Sequence, residues 1–232
     1  MCGRFALVAD GQALQLQFDL TALPSELLTA RYNIAPTQPV MVITNTAPQT
    51  ITFQKWGLIP SWSKDPSIAS SLINARAETL EEKPSFRTAF KRRRCIIPAT
   101  GFYEWGKGEG KTKQPYYIHL KDNQLFGFAG LWETWHSPDG DMVETCTIIT
   151  TEPNDLIRPL HHRMAVILDP DDYELWLSPD ELPPMALKPL LTAYPAEQMA
   201  YYPISTLVNN VRNDSPECIK PLEPPQQKGL FD

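Results

Sequence analysis

Residues 95–132 read CIIPATGFYEWGKGEGKTKQPYYIHLKDNQLFGFAGLW. Four short runs lie within them: Cys95–Pro98, Gly101–Trp105, Pro115–Leu120 and Leu125–Trp132. Each is apolar or alternates apolar with polar, and glycine, proline or polar turn residues bound it. Alternation over so few residues reads as a strand. Working outward, Val40–Thr44, Ile51–Ile59, Thr145–Thr151 and Ala165–Leu168 have the same character. Helical signals are fewer. Pro84–Arg93 sets Phe86 and Phe90 one turn apart, and Pro153–Leu160 opens with helix-start chemistry. Asp169-Pro170-Asp171-Asp172 looks like an N-cap with proline in the first turn, leading into Tyr173–Leu177. Met185–Leu191 is a further candidate, broken at Pro189. Strands without regularly interposed helices predict an α+β fold, with a mainly antiparallel sheet or barrel-like core and flanking helices.

The chain has 232 residues and 42% hydrophobic content, enough for a sizeable core. One domain is expected over residues 2–213. A flexible proline-rich tail, 214–232, is expected to follow, with Pro221–Asp232 polar and disordered. No apolar run approaches the ~20 residues that span a membrane, and no basic-then-apolar leader opens the chain. A cytoplasmic, nucleoid-associated monomer without membrane contact is the expectation. The four cysteines, Cys2, Cys95, Cys146 and Cys218, form no Cys-x-x-Cys pair. That argues against a zinc site and a disulfide framework, and no metal or cofactor is expected. The net charge of −6 is unevenly spread. Residues 1–130 carry 15 Lys/Arg against 10 Asp/Glu, a net +5, and residues 131–232 carry −11. An acidic protein can therefore present a basic face, and the local field is what a phosphate meets.

The chain begins Met1-Cys2-Gly3-Arg4. Removal of Met1 would leave a thiol and a free α-amine on one residue. Their reference pKa values, about 8.5 and about 8, make both partly reactive near neutral pH. Such an amine condenses with an aldehyde to an imine, and the thiol then closes on the imine carbon to a thiazolidine. Holding the second nucleophile in place is worth roughly 7–11 kcal/mol in well-aligned cases. A lysine makes the imine but cannot lock it.

Polar residues set among apolar or aromatic neighbours mark four segments: Cys2–Phe5, Leu72–Thr79, Gly101–Trp105 and Leu160–Met164. Glu104 between aromatics reads either as a buried carboxyl of raised pKa, suited to general acid work, or as an outward glutamate on a half-exposed strand. His161 and His162 read as loop catalysts or as histidines satisfied by backbone. Asn74 fits a turn and Arg76 a surface charge. Lys91-Arg92-Arg93-Arg94, the densest basic run, reads first as the solvated face of a helix. Trp56, Trp62 and Trp105 read mostly as core, with stacking on a base as the alternative.

Five motifs in order, with the N-terminal cysteine, resemble the SRAP family, the SOS-response-associated peptidases or abasic-site processing proteins. They are Arg31–Pro36, Trp56–Trp62, Ile73–Thr79, Gly101–Trp105 and His161–Met164, and the resemblance covers about residues 2–213. It implies a protein that covalently traps abasic sites in single-stranded DNA through a thiazolidine on Cys2, shielding the strand from β-elimination. Lyase and self-processing activity are further implications. By the same resemblance Asn74 positions Cys2 or the opened sugar, Glu104 shuttles protons, and His161 promotes sugar opening. Arg4, Arg76 and Arg163 would hold phosphates, and Trp62 and Trp105 would shape the DNA path. Ala165 and Gly106 depart from the family pattern, where proline and lysine are common, and put local loop geometry in question.

Two other readings stand beside this one: an N-terminal-nucleophile amidase with Cys2 attacking an amide, and a DNA-binding module whose Cys2 is incidental. At the far end, Gln227, Leu230 and Phe231 resemble the Gln-x-x-Leu-Phe pattern that docks bacterial proteins on the replication sliding clamp.

Overall fold

The structure, a computed structural model, describes residues 2–23, 29–108 and 112–223. In chain order the elements are β1 (Phe5–Leu7), α1 (Gly11–Phe18), β2 (Arg31–Ile34), β3 (Pro39–Thr44), β4 (Ala47–Trp56) and β5 (Asn74–Arg76). Then come α2 (Arg87–Arg92), β6 (Arg94–Ala99), β7 (Gly101–Lys107), β8 (Lys113–Leu120), β9 (Phe126–His136) and β10 (Met142–Thr151). The chain finishes with β11 (Met164–Ala165), β12 (Ile167–Leu168), α3 (Tyr173–Trp176), α4 (Pro184–Leu187) and β13 (Met199–Pro203), linked by short 3-10 turns.

Five strands close on themselves in the order β4-β3-β6-β9-β10, with β10 pairing back to β4. Closure leaves these strands no open edge. All their pairings are antiparallel except β10 with β4, where Cys146 lies opposite Trp56. The same edge of β10 then takes β5, parallel, with Ile148 opposite Asn74. Residues 57–73 are thus a detour between two segments that line up on one strand. A second sheet, β13-β8-β7-β1-β2, is antiparallel throughout. The two sheets meet in a cluster of edge-to-face rings: Phe5 with Trp56 at 5.3 Å and with Phe128 at 5.8 Å, and Phe102 with Phe128 at 5.9 Å. Phe5, Trp56, Phe102 and Phe128 are essentially inaccessible, and each such side chain contributes about 1.5–3 kcal/mol of burial. The ring cluster anchors β1, and so fixes where residues 2–4 emerge.

The α+β class and the strand-rich core agree with the sequence reading. Pro153–Leu160 is a correction: it forms successive turns, with Arg158 N–H donating to Asn154 O and His161 N–H to Ile157 O, and no regular helix. Pro159 removes a donor and clashes with the preceding turn, and eight residues cannot nucleate a helix against that cost. Helix α1, unmarked in the sequence reading, is capped by Asp10, which accepts from Ala13 N–H at 2.8 Å. The run 165–168 divides at Val166, whose carbonyl serves β9 and whose N–H serves β10.

The basic run 91–94 is also corrected in part. Arg92 pairs with Glu181 and Arg93 with Glu133. Arg94 is fully buried, donating to the carbonyls of Phe90, Lys91, Trp176, Ser178 and Asp180. It ties α2 to the chain after α3. Hydrogen-bonded structure continues after Asn213 as far as Leu222. Asp214 caps the amides of Tyr32 and Asn33, Cys218 is buried, and Leu222 N–H donates to Pro203 O. No described helix is long and apolar enough to cross a membrane.

Candidate active site

Cys2 lies at the junction of the sheets, fully buried. β1 pairs with β7 through Phe5 opposite Phe102 and Ala6 opposite Gly101, and Tyr103 N–H donates to Arg4 O at 3.0 Å. The register runs the N-terminal residues alongside the Tyr103–Trp105 segment. Gly101 permits this, since a Cβ there would lie 2.3 Å from the Tyr117 ring. From the other side, Asn74 Nδ2 donates to Cys2 O at 2.9 Å. Asn74 is held by the parallel β5–β10 pairing and by Trp56 Nε1, which donates to the preceding carbonyl, Ile73 O, at 2.8 Å. Its Oδ1 is buried and has no hydrogen-bond partner among the described residues, an acceptor aimed at the site without a donor.

Glu104, on β7, is 4% exposed. Burial pushes its carboxyl up to about 7. Burial also drives the Cys2 thiol far above its ordinary range, and the Glu104 carboxylate adds to that rise, so the two groups lie within electrostatic reach. The buried-carboxyl reading of Glu104 therefore holds, and the outward-facing reading does not.

His161 follows the turns of 154–160. Leu160 packs over Gly106, two residues beyond Glu104; a Cβ at Gly106 would lie 2.9 Å from Leu160 Cδ2. The absent side chain at this departure from the family pattern lets the His161 loop sit close to β7. Arg163 N–H donates to His161 Nδ1 at 2.9 Å, and the ring stacks on His162 at 4.3 Å. Chiefly through burial, the His161 pKa falls to about 4. Nδ1 also lies 3.1 Å from Arg163 O, and the ring is neutral at pH 7.

Arg163 is 8% exposed. Its two terminal nitrogens grip the Glu78 carboxylate at 2.8 and 2.9 Å, and Nη2 also donates to Thr150 O at 2.7 Å. The guanidinium braces the histidine loop against β10 and the turn after β5. The pair holds the Glu78 carboxyl below its usual range. Arg76, two residues after Asn74, is exposed.

Arg4 Nη1 donates to Asn33 Oδ1 at 2.8 Å and to Val208 O at 2.7 Å, and its guanidinium carbon lies 5.8 Å from the Trp105 ring centre. Trp105 is partly exposed and donates Nε1–H to Asn209 Oδ1 at 2.7 Å. Trp62 is 60% exposed at the tip of the 57–73 detour. That detour is fixed by Trp135 Nε1–H donating to Ser63 O and by Gly57 at φ 131°. Trp56 is core. Direct contacts knit Cys2 with Asn74 and Arg4 with Trp105. Trp62 and Arg76 stand on the surface, Arg76 within electrostatic reach of Glu78. Asn33 and Glu78 lie within the quoted motifs Arg31–Pro36 and Ile73–Thr79 but were given no role there, and Asn209 was not singled out. No three His, Cys, Asp or Glu among the described residues could hold a metal. Gln227, Leu230 and Phe231 lie outside the described residues.

Residues 1–211 match the family model described as SOS response associated peptidase (SRAP). Abasic site processing protein YoqW of Bacillus subtilis is 46% identical over 222 residues, covering 95% of this chain and 99% of that protein. Abasic site processing protein HMCES of Gallus gallus is 38% identical over 193 residues, covering 73% of this chain and 56% of that longer protein. A crystal structure of a protein from Bacteroides thetaiotaomicron superposes with a TM-score of 0.86 at 31% identity, covering 96% of this chain and 100% of that one.

Proposed function

The chain belongs to the SRAP family, and from that premise we propose that it captures abasic sites in single-stranded DNA as a thiazolidine on Cys2. The observation that carries the reading is the placement of Cys2 between Asn74 and a carboxyl, Glu104, whose pKa is raised to about 7. A carboxyl poised there both gives and takes protons at working pH. The relatives named abasic site processing protein support the substrate class.

Removal of Met1 frees the Cys2 amine. The ring-closed abasic sugar opens when its ring oxygen gains a proton and its anomeric hydroxyl loses one, exposing the C1′ aldehyde. His161 presents Nε2–H to the developing oxygen as a hydrogen-bond donor, since the ring is neutral. The amine nitrogen attacks C1′ to give a carbinolamine. Protonated Glu104 supplies the proton with which hydroxyl leaves as water, and the nitrogen lone pair forms the imine. Glu104, now a carboxylate, takes the thiol proton that burial otherwise holds on sulfur, and sulfur attacks C1′. That imine nitrogen still carries its own proton, so as sulfur bonds C1′ the C–N π pair returns to nitrogen, closing the five-membered ring with no further proton. The balance is one sugar plus one N-terminal cysteine giving one thiazolidine and one water. With the imine gone, the adjacent carbon is no longer acidified, and the strand is protected from β-elimination. Asn74 Oδ1 supplies an acceptor for the amine hydrogens. Arg4 and Arg76 serve the DNA backbone in this scheme; Arg163, its terminal nitrogens held by Glu78 and Thr150, acts through its brace on the His161 loop, and Trp62 and Trp105 offer stacking faces. The tail residues Gln227, Leu230 and Phe231 would tether the trap to the sliding clamp. A tail peptide binding the purified clamp at micromolar affinity supports that tether, and no binding by the intact protein removes it.

Peptide mapping tests the assignment. After reaction with an abasic oligonucleotide and nuclease digestion, the sugar remnant is expected on the N-terminal peptide beginning at Cys2. A remnant on a lysine-containing internal peptide would refute it.

A further inference from the structure

The 205–214 segment is pinned beneath the residues assigned to DNA. Asn33 is fully buried on β2. Its Oδ1 accepts from Arg4, and its Nδ2 faces the carbonyls of Val208, Asn210 and Asn213 at 3.2, 3.1 and 2.7 Å. Arg4 grips the same Val208 carbonyl, and Asp214 caps the Tyr32 and Asn33 amides from the segment's far end. One carboxamide so placed shares its two N–H donors among three carbonyls on and after the 3-10 turn, and offers its oxygen to Arg4. The fastened turn in turn holds out Asn209, exposed, whose Oδ1 receives the Trp105 indole N–H at 2.7 Å. Trp105 is then set under the Arg4 guanidinium at 5.8 Å.

We propose that Asn33 and Asn209 are positioning residues for DNA: Asn33 locks the 205–214 turn and Arg4 together, and Asn209 on that turn fixes the plane of the Trp105 ring beside them. The proposal rests on the reading of Arg4 and Trp105 as DNA contacts. Its logic is pre-organisation: a ring and a cation already held at the bound geometry lose little freedom when a strand arrives. Asn209 makes the cleaner test, because it lies on the surface and its loss leaves no buried group unpaired.

The experiment compares wild type, Asn209→Ala and Asn209→Asp on undamaged single-stranded DNA, whose binding needs no crosslinking chemistry. The Trp105 indole N–H resonance reports the ring, and the crosslinking rate at saturating abasic DNA reports the chemistry. Asn209→Ala is expected to shift the indole resonance and weaken binding roughly fivefold, as the loss of one orienting hydrogen bond allows. Its saturated rate is expected to stay within about twofold of wild type and its melting temperature unchanged. Asn209→Asp keeps the acceptor and adds a charge, so its indole resonance is expected to stay near wild type. Its binding is expected to be weak at low salt and to recover toward wild type at high salt, where the charge is screened. A resonance unmoved in Asn209→Ala, wild-type binding despite a moved resonance, or no recovery by Asn209→Asp would each overturn the proposal. If wild type makes no crosslink at all, the trapping reading fails while these binding and resonance outcomes still decide the positioning role.

Discussion

His161 Nδ1 meets both backbone groups of Arg163, the N–H at 2.9 Å and the carbonyl oxygen at 3.1 Å, so one residue holds the ring in place. The His161 pKa is lowered, first by burial, to about 4. Its folded-state value lies below the ordinary 6.5, so its contribution to stability is fully present above pH 6.5 and is lost as pH falls through 4. Nuclear magnetic resonance of the labelled imidazole is expected to show the Nε2–H tautomer with a midpoint near 4. A midpoint at or above 6.5 would contradict the assignment.

Glu104 has the opposite sign for a carboxyl. Its folded pKa, about 7, exceeds the ordinary 4.5 because the group is buried. The folded state holds the proton more tightly, so this contribution to stability is greatest below pH 4.5 and declines as pH rises through 7. Glu104→Gln, which stays neutral, is expected to match wild-type stability at about pH 4 and exceed it at about pH 8.5 by up to roughly 3 kcal/mol. It is also expected to slow crosslink formation and reversal together, by roughly 100-fold, because one group moves protons in both directions. Denaturation at the two pH values and crosslinking kinetics check both halves; a variant that slows only one direction contradicts the shared role.

Glu78 braces Arg163 through a two-point ion pair. Glu78→Ala leaves a guanidinium only 8% exposed without its carboxylate, expected to cost about 1–3 kcal/mol given that Glu78 itself is half exposed. The His161 loop should loosen with it. Crosslinking that slows while undamaged-strand affinity changes less than twofold would identify the brace as serving His161.

How much of this the residues announce by themselves varies by element. Glu104 was only half readable: a carboxylate inside Phe-Tyr-Glu-Trp fits a buried or an outward position equally in sequence, and only the packing of β7 decides for burial. The strands of 95–132 were readable because each buries one or both faces. Barrel closure was not, since the parallel match of Cys146 with Trp56 joins segments ninety residues apart and neither carries a local mark of it. Arg94 reads as solvent-facing in a basic run, yet three carbonyls from the distant segment 176–180 and two from the turn just before it converge on it. Asn33 and Asn209 are equally silent, because their partners are backbone and indole groups far along the chain.

Arg76 is exposed beside Asn74. Arg76→Glu is expected to weaken binding to undamaged single strands and to reduce the slope of log affinity against log salt by about one phosphate contact, roughly 0.7. Titrations at three salt concentrations measure it, and an unchanged slope would remove Arg76 from the backbone contacts.

The central claim is that one residue supplies both nucleophiles, and intact mass after incubation with an abasic single strand tests it most directly. Wild type is expected to give a heat-stable species whose mass is the chain without Met1 plus the oligonucleotide, less one water. Cys2→Ser and Cys2→Ala are expected to give no heat-stable species, although borohydride can still trap an imine from a free amine. A heat-stable adduct from Cys2→Ala, or none from wild type lacking Met1, would contradict the account.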